Sequence, residues 1–458
     1  RSRRLDAPGG CPLAGPADHH HQTTAAVVRT LDARPGMKLH VASKRDFPTG
    51  LELPWIRSLS EWDLPFMVRV SQGICRNVVR FVRYRDTVYA IKEIAERLAI
   101  KEYGLLRSLE ELGMPVVQAV CLVTERGNLE GAAPEVSDRG LLVTRYLDRS
   151  LPLRRLITSG AAAVQAEKLM DSVAELLVRL HLSGFFWGDC SLSNTLFRHD
   201  AGLYAAYLVD AETGELHPQL SRGQRLHDLQ IATENLAGEL LDLQAGFGLP
   251  EGVDPIEYAH SLQARYDRLW DEINRDEVYP SNEQHRIDAR IRRLNELGYD
   301  VQELEIETVE EGTHIRVHAE VVEPGYHRRL FHALTGLDTQ ENQARRLLND
   351  MYSYRAWQTG IQGEAVPEAV SAYRWFSEIY QPTLAAVPDE LRGRLEDAEL
   401  FHQILEHRWY MSEREGRELG IEEVVPAYVE DVLSCLPEPA VEPSPLYASG
   451  DAGTETTT

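Results

Sequence analysis

One stretch constrains this chain more than any other: Phe185-Phe186-Trp187-Gly188-Asp189-Cys190-Ser191-Leu192-Ser193-Asn194-Thr195-Leu196-Phe197. Its apolar ends read as short strands and its polar middle as the loop between them. The loop offers a carboxylate at Asp189 and an amide five residues later at Asn194. A further apolar run, Tyr207-Leu208-Val209, ends in Asp210. A turn-capping role accounts for any one of these positions taken alone. It accounts poorly for an ordered set of three oxygen donors, each beside a strand-like run. Carboxylate and amide oxygens at strand ends suit a hard cation such as Mg²⁺.

Upstream, Asn77–Val82 and Thr87–Lys92 flank a turn at Arg85-Asp86 and predict a β-hairpin whose second strand ends in Lys92. A helix is predicted over 95–112, with Leu98, Leu105, Leu109 and Leu112 on one face. Glu102 falls on that face. A buried carboxylate requires a cationic partner, and Lys92 is the candidate, with Glu96 the alternative carboxylate for that lysine. Met114–Val117 and Gly140–Thr144 read as the next strands. A helix over 163–182 carries Leu169, Val173, Leu176, Leu177 and Leu180 at helical spacing, and Gly184 ends it. Another helix opens at Arg225-Leu226-His227-Asp228 and runs to about Leu243. Asp228 there reads either as a buried brace or as an ordinary first-turn Asp favoured by the helix dipole.

At 458 residues the chain has room for two or three domains. Residues 1–36 lack periodicity and read as a disordered leader or upstream extension, with Met37 the expected start. Residues 37–72 read as an irregular lead-in anchored by Trp55 and Trp62. Gly246–Gly252 reads as a linker, and Asp254-Pro255 as the capped start of a new domain spanning 254–436. In it, Ser281 caps a helix ending at Gly298, a hairpin pairs 301–309 with 314–322, and helices cover 338–358, 367–381, 389–414 and 423–434. Residues 437–458 read as a disordered acidic tail.

The net charge of −24 argues against a nucleic-acid protein held by a general positive field. Five cysteines without a CxxC pair indicate neither zinc nor a disulfide framework and fit a reducing cytoplasm. No apolar run approaches the roughly 18 residues of a membrane span. The oligomeric state leaves no mark in the sequence.

Lys92, Glu102, Asp189, Asn194 and Asp210, in this order, resemble the site residues of the protein-kinase-like superfamily. Tyr89-Ala90-Ile91-Lys92 is similar to the kinase strand whose lysine grips nucleotide phosphates. The resemblance covers residues 73–245 and is nearest to bacterial lipopolysaccharide-core kinases and aminoglycoside phosphotransferases. The helical back half, bearing His407-Arg408-Trp409-Tyr410, resembles a bacterial family catalogued only as domain of unknown function four-zero-three-two. The implied fold is α+β: a two-lobed kinase-like unit (N-lobe to about 147, C-lobe 148–245), then a mostly helical domain with one β-hairpin.

The resemblance also implies roles. Asp189 orients and deprotonates an acceptor hydroxyl. Asn194 and Asp210 hold Mg²⁺. Lys92, positioned by Glu102, holds the α- and β-phosphates of ATP. Arg145, Tyr146 and Leu147 form the hinge whose backbone meets adenine. The implied acceptor is a small molecule or carbohydrate-like hydroxyl, because only 17 residues separate Asp210 from Asp228, too few for a peptide platform. Arg292, Arg328 and Arg329 are available beyond the linker for an anionic substrate.

Several features depart from the pattern. No Gly-x-Gly-x-x-Gly precedes Lys92; Gly73 stands alone there, and Arg76 or backbone amides are left to cover the phosphates. Trp187 stands where kinase-like enzymes usually carry His. Cys190–Ser193 lacks the usual Lys or His, and the spacing from Lys92 to Glu102 is short. Glu212 either adds a metal oxygen or faces solvent. The alternative to an ATP- and Mg-dependent phosphotransferase is therefore a pseudokinase or scaffold that binds nucleotide or a partner without transfer.

Overall fold

The computed structural model describes residues 29–34, 36–42, 53–70, 77–85, 87–158, 162–249, 253–274, 277–280, 304–309, 314–319, 325–362, 364, 366–417, 419–436 and 441–442. The N-terminal lobe is an antiparallel sheet. Its strands are β1 (Arg29–Arg34), β2 (Met37–Val41), β3 (Met67–Val70), β4 (Val78–Tyr84), β5 (Thr87–Ala95), β6 (Ala119–Thr124) and β7 (Arg139–Arg145). They lie in the order β1-β2-β6-β7-β5-β4-β3. The predicted hairpin is β4–β5, with Lys92 opposite Val79 on one side and Leu142 of β7 on the other.

Three expectations change in this lobe. Residues 29–34 and 37–41 form strands rather than leader and irregular lead-in: β1 pairs with β2, with a register shift between Asp32 and Arg34, and β2 pairs with β6. The strand expected at Met114–Val117 lies at Ala119–Thr124 instead, all six residues buried. Pro115, without an N–H, cannot join a central ladder, whereas 119–124 is an apolar run covered on both faces. Helix α1 (Glu96–Glu111) buries Ala99, Glu102, Tyr103, Leu106 and Leu109. Leu98 and Leu105 pack at its margin and Leu112 is exposed, so the buried face is rotated from the leucine stripe towards Ala99, Glu102 and Leu106.

The lead-in covers the other face of the sheet. Trp55 and Trp62 meet edge to face, 5.9 Å between centroids, beside Leu59, Ile91, Cys121 and Val143. Arg126, fully buried, pins this segment. It donates to Trp55 O (2.9 Å) and Arg57 O (2.6 Å) and pairs with Glu93 at 2.7 Å. Glu93 also accepts from Ser58 Oγ at 2.9 Å and Leu59 N at 3.0 Å.

The C-lobe contains β8 (Leu151–Pro152), α2 (Leu153–Thr158), α3 (Ala162–Leu182), β9 (Phe185–Phe186), β10 (Thr195–Asp200), β11 (Leu203–Leu208), β12 (Glu215–Leu216), α4 (Arg222–Phe247) and α5 (Pro255–Asn274). β10 and β11 pair without a bulge from Thr195↔Leu208 to Asp200↔Leu203. Gly184, at φ +84°, ends α3 where a Cβ would stand 2.0 Å from His217 O. Ser221 begins α4 with a capping box to Gln224, so the helix starts earlier than Arg225, and it runs on through Gly246 and Phe247 of the expected linker. The boundary also moves. Asp254 caps α5 as expected, but Tyr258, Leu262, Tyr266, Leu269 and Ile273 join one core with α3 and α4. Helix α5 therefore completes the C-lobe rather than opening the next domain.

Beyond it, β13 (Glu277–Pro280), β14 (Leu304–Val309) and β15 (His314–Ala319) form a sheet in the order β13-β15-β14, one strand more than the expected hairpin. Then come α6 (Tyr326–Thr335), α7 (Glu341–Gln362), α8 (Glu368–Trp375), α9 (Gln381–Ala385), α10 (Asp397–Glu415) and α11 (Ile421–Asp431). Helix α7 lacks the expected Asp338…Glu341 capping box. Glu341 instead accepts from His327 N (3.1 Å) and meets His327 Nδ1 (2.9 Å) in α6, and Gln343 accepts from Gln340 N at 3.0 Å. The helix expected at 281–298, with Arg286, Arg290, Arg292 and Arg293, lies outside the described residues. Val441–Glu442 of the expected tail form β16, paired with β3 at the sheet edge.

The C-terminal domain docks on the β10–β11 hairpin. Glu399 accepts from Ala201 N, and Asp200 accepts from Gln343 N at 2.8 Å and Asn342 Nδ2 at 3.1 Å. Arg198 pairs with Glu396, and Tyr207 Oη meets Gln340. Burial pushes the Asp200 carboxyl up to about 7, against the pull of those amides.

Breaking a buried pair by removing one partner leaves an uncompensated charge and costs about 3–5 kcal/mol. Arg126→Met should lower the urea midpoint of the transition reported by Trp55 and Trp62 fluorescence by that equivalent. An unmoved midpoint would show that Arg126 does not secure the lead-in.

Candidate active site

Strand β5 runs directly into α1, with no loop between Ala95 and Glu96. That continuity explains the short spacing from Lys92 to Glu102. The Lys92 ammonium reaches Glu102 Oε2 at 3.0 Å, and the Glu102 side chain is 1% exposed. Glu96, the alternative partner, accepts from Glu125 N at 2.6 Å. Lys92 also crosses the cleft to Asp210 Oδ2 at 2.5 Å and Glu212 Oε2 at 3.3 Å.

Burial alone would lower the Lys92 pKa, but the carboxylates, Glu102 foremost, outweigh it and hold the ammonium above its ordinary value. Glu102 moves upward as well. Burial is the main cause and Asp210 adds repulsion, while Lys92 opposes both. The directions are consistent with one cation shared among three carboxylates.

Glu212 does not face open solvent. Asn77 Nδ2 donates to its side chain at 3.4 Å, and Lys101 Nζ to its carbonyl at 3.1 Å. Its N–H donates to Asp210 Oδ1 at 3.0 Å. Among the described residues, Glu102, Asp210 and Glu212 form the one group of three potential metal-ligating side chains with donor atoms within 4.8 Å of each other. Asn194 precedes β10 and Asp210 follows β11, so the hairpin brings them to the same end. Val209 N donates to Asn194 O there at 3.0 Å.

Between β9 and β10, Asp189 is held from two sides. Asn194 Nδ2 donates to its Oδ2 at 3.2 Å, and Asn235 Nδ2 to its Oδ1 at 3.1 Å. Asn235 also donates to Cys190 O at 3.1 Å. Glu239 accepts from Leu192 N at 2.7 Å and Ser193 Oγ at 2.8 Å. Asp228 is a buried brace: it accepts from Trp187 N (2.7 Å) and Gly188 N (2.8 Å), and His181 Nε2 lies at 3.1 Å. Although in α4, it sits seven residues into the helix, past the first turn. Trp187 is buried, and its indole donates to Asp210 O at 2.9 Å. The departure from His thus supplies a direct tether between the loop and the segment after β11. Burial pushes the Cys190 thiol well up, leaving it a protonated wall residue.

Arg145, Tyr146 and Leu147 do connect the lobes. Arg145 is exposed, the other two half-buried. Tyr146 N donates to Val88 O at 2.8 Å, and its ring meets Phe81 edge to face at 5.7 Å. Gly73 and Arg76, and Arg292 of the expected anion-binding cluster, lie outside the described residues. Arg328 and Arg329 are exposed on α6.

Asn235 and Glu239 were not anticipated. Their signal is helical: Asp228, Asn235 and Glu239 lie two turns and then one turn apart on α4, one polar stripe beside buried Leu229, Ala232, Leu236 and Leu240.

The fold and this site define a protein-kinase-like α+β domain. Residues 84–236 match the model of the Lipopolysaccharide kinase (Kdo/WaaP) family, and residues 268–433 match that of a Domain of unknown function (DUF4032). A solved structure described as "WaaP in complex with acyl carrier protein" is similar at 17% identity, covering 50% of this chain and 88% of that chain, with a TM-score of 0.31. No curated protein matches the chain. Among the described residues, no helix is long and apolar enough to cross a membrane.

Each buried donor left without a partner costs about 1–3 kcal/mol. Asp228→Ala strands two backbone N–H groups and an imidazole, so it should destabilise the chain by at least about 3 kcal/mol by denaturant titration. A loss within experimental error would show that Asp228 does not brace the loop.

Proposed function

We propose that the kinase-like domain is an ATP- and Mg-dependent phosphotransferase whose acceptor is a small-molecule or carbohydrate-like hydroxyl. The observation that carries this reading is the Lys92–Glu102 pair, reaching across the cleft to Asp210 beside a loop that fixes Asp189 between two amides. The donor set fits Mg²⁺: Asp210 and Glu212 offer partly exposed carboxylate oxygens, and Asn194 adds an amide at the same hairpin end. Mg-ATP, when bound, supplies the phosphoryl group and neutralises its charge.

The protein's own part is positioning. Lys92, oriented by Glu102, binds nucleotide phosphates. Asp210 and Asn194, with Glu212 beside them, hold the metal. The backbone of Arg145–Leu147 receives the base. Asp189 takes the acceptor's proton on a carboxylate oxygen; its two amide donors fix which way that oxygen points.

The acceptor assignment rests on the segment after Asp210. It reaches α4 at Arg222 and is tied back on the way, because β12 pairs with β9. That leaves little free backbone to receive an extended peptide strand.

Ligand that binds only the folded state stabilises it, by about 2.7 kcal/mol at a hundred times its Kd. Millimolar Mg-ATP should therefore raise the melting temperature of the full chain, and Asp210→Ala should lose the rise. An unmoved wild-type melting temperature would sink the nucleotide reading. Asp189→Asn should keep the rise but lose transfer by roughly 10²–10⁴; wild-type turnover in that variant would make Asp189 structural. With labelled ATP and fractionated lysate, label is expected on small molecules. Label mainly on proteins other than the enzyme itself would overturn the acceptor class.

A further inference from the structure

The Lys92 ammonium lies against the same oxygens that a metal at this site would use. It stands 2.5 Å from Asp210 Oδ2 and 3.3 Å from Glu212 Oε2. The other Asp210 oxygen, Oδ1, accepts from Glu212 N at 3.0 Å, and Glu212 Oε2 also accepts from Asn77 Nδ2 at 3.4 Å. Both Asp210 oxygens are therefore engaged. Access from solvent is no obstacle, because the side chains of Asp210 and Glu212 are each 22% exposed.

Mg²⁺ sits about 2.1 Å from a carboxylate oxygen. An ion at that distance from Asp210 Oδ2 would stand within about 5 Å of the Lys92 nitrogen. A monovalent and a divalent cation that close repel by more than one tenfold step in affinity, even at the dielectric constant of water. The two cations therefore weaken each other wherever they share Asp210.

Lys92 has a position to fall back on. Glu102 Oε1 and Oε2 lie 3.3 and 3.0 Å from the same nitrogen. The contacts to Asp210 and Glu212 can be given up while Glu102 keeps its hold, so β5 and α1 need not move. Giving them up costs two ionic contacts, which an anion beside Lys92 would replace. Phosphate oxygens are anions that a lysine ammonium binds well.

We propose that Lys92 is a built-in competitor of the metal: its ammonium and a divalent ion exclude each other at Asp210 and Glu212 until nucleotide phosphates draw the ammonium away. This rests on the phosphotransferase reading above in taking Asp210 and Glu212 as metal ligands, and it gives Lys92 a second role beside phosphate binding. The coupling is reciprocal, so the ion improves nucleotide affinity by the same factor as the nucleotide improves ion affinity.

The test is titration of the nucleotide-free full chain with Mn²⁺, followed by electron paramagnetic resonance of the unbound ion. Lys92→Met should bind Mn²⁺ at least tenfold more tightly than the wild type. Lys101 is the control for overall charge: its Nζ meets Glu212 only at the backbone carbonyl, at 3.1 Å, so Lys101→Met should show no such gain. Lys92→Met leaves Glu102 buried without its cation. Lys92→Met/Glu102→Gln removes both charges, keeps the test decisive if the single variant folds poorly, and should show the gain as well. Adding Asp210→Ala should abolish it. Equal or weaker Mn²⁺ binding in both Lys92 variants, an equal gain in Lys101→Met, or a gain that survives Asp210→Ala would each overturn the proposal. The melting shift with Mg-ATP tests the phosphotransferase reading separately. That shift without the Mn²⁺ gain would leave the reading standing and sink the competition; the gain without the shift would sustain the competition and sink the nucleotide reading.

Discussion

A carboxylate on the inner face of a helix is the constraint on which the site depends. Glu102 is nearly inaccessible and would be costly there without a cation. Lys92 meets that need, and in doing so fixes α1 against β5. Because β5 becomes α1 without a loop, the pair leaves the helix little room to slide relative to the strand. The same ammonium spans the cleft to Asp210 and Glu212. One cation thus orders the N-lobe internally and sets where the two lobes meet.

The neighbouring position on the same strand does the opposite job on the opposite face. Strand geometry turns Glu93 away from Lys92, into the layer under the sheet, where Arg126 and the backbone of Leu59 hold it. The lead-in is therefore part of the N-lobe's second face. Its tryptophans close over Ile91, the residue on the other side of Lys92. Strand β5 is gripped on both faces within three residues, which makes Lys92 a fixed point rather than a mobile surface lysine.

Much of the candidate site was legible because its residues are local in sequence. Asp189 and Asn194 share one loop, and Asp210 follows one strand later. Helix α3 was legible because five leucines and valines repeat at helical spacing and all are buried. What escaped notice depends on distant partners. The strand at 119–124 is apolar up to Thr124, so only coverage on both faces, by α1 and by the lead-in, distinguishes it from a helix segment. The Leu98–Leu112 stripe misled because Gly140 of β7 admits α1 closely on its Ala99 side, where an added Cβ would come within 2.9 Å of the Ala99 methyl. Helix α5 looked like a new domain because Gly and Pro precede it; its packing partners, α3 and α4, lie far back in the chain. Asn235 and Glu239 are not legible in the sequence because a polar stripe on a helix ordinarily faces water. Here the stripe faces the Asp189 loop and accepts from or donates to it at Trp187, Gly188, Asp189, Cys190, Leu192 and Ser193.

The β10–β11 hairpin joins these observations. Six consecutive residue pairs without a bulge make it a stiff element. At one end Asn194, Val209 and Asp210 meet. At the other, Asp200, Ala201 and Gly202 are gripped by Gln343 and Glu399, which are themselves buried and joined at 3.0 Å. The C-terminal domain is therefore fastened to the element flanked by two of the candidate oxygen donors. A hairpin paired along its whole length has few ways to move one end while the other is held. The docking of the C-terminal domain thus limits where Asn194 and Asp210 can stand.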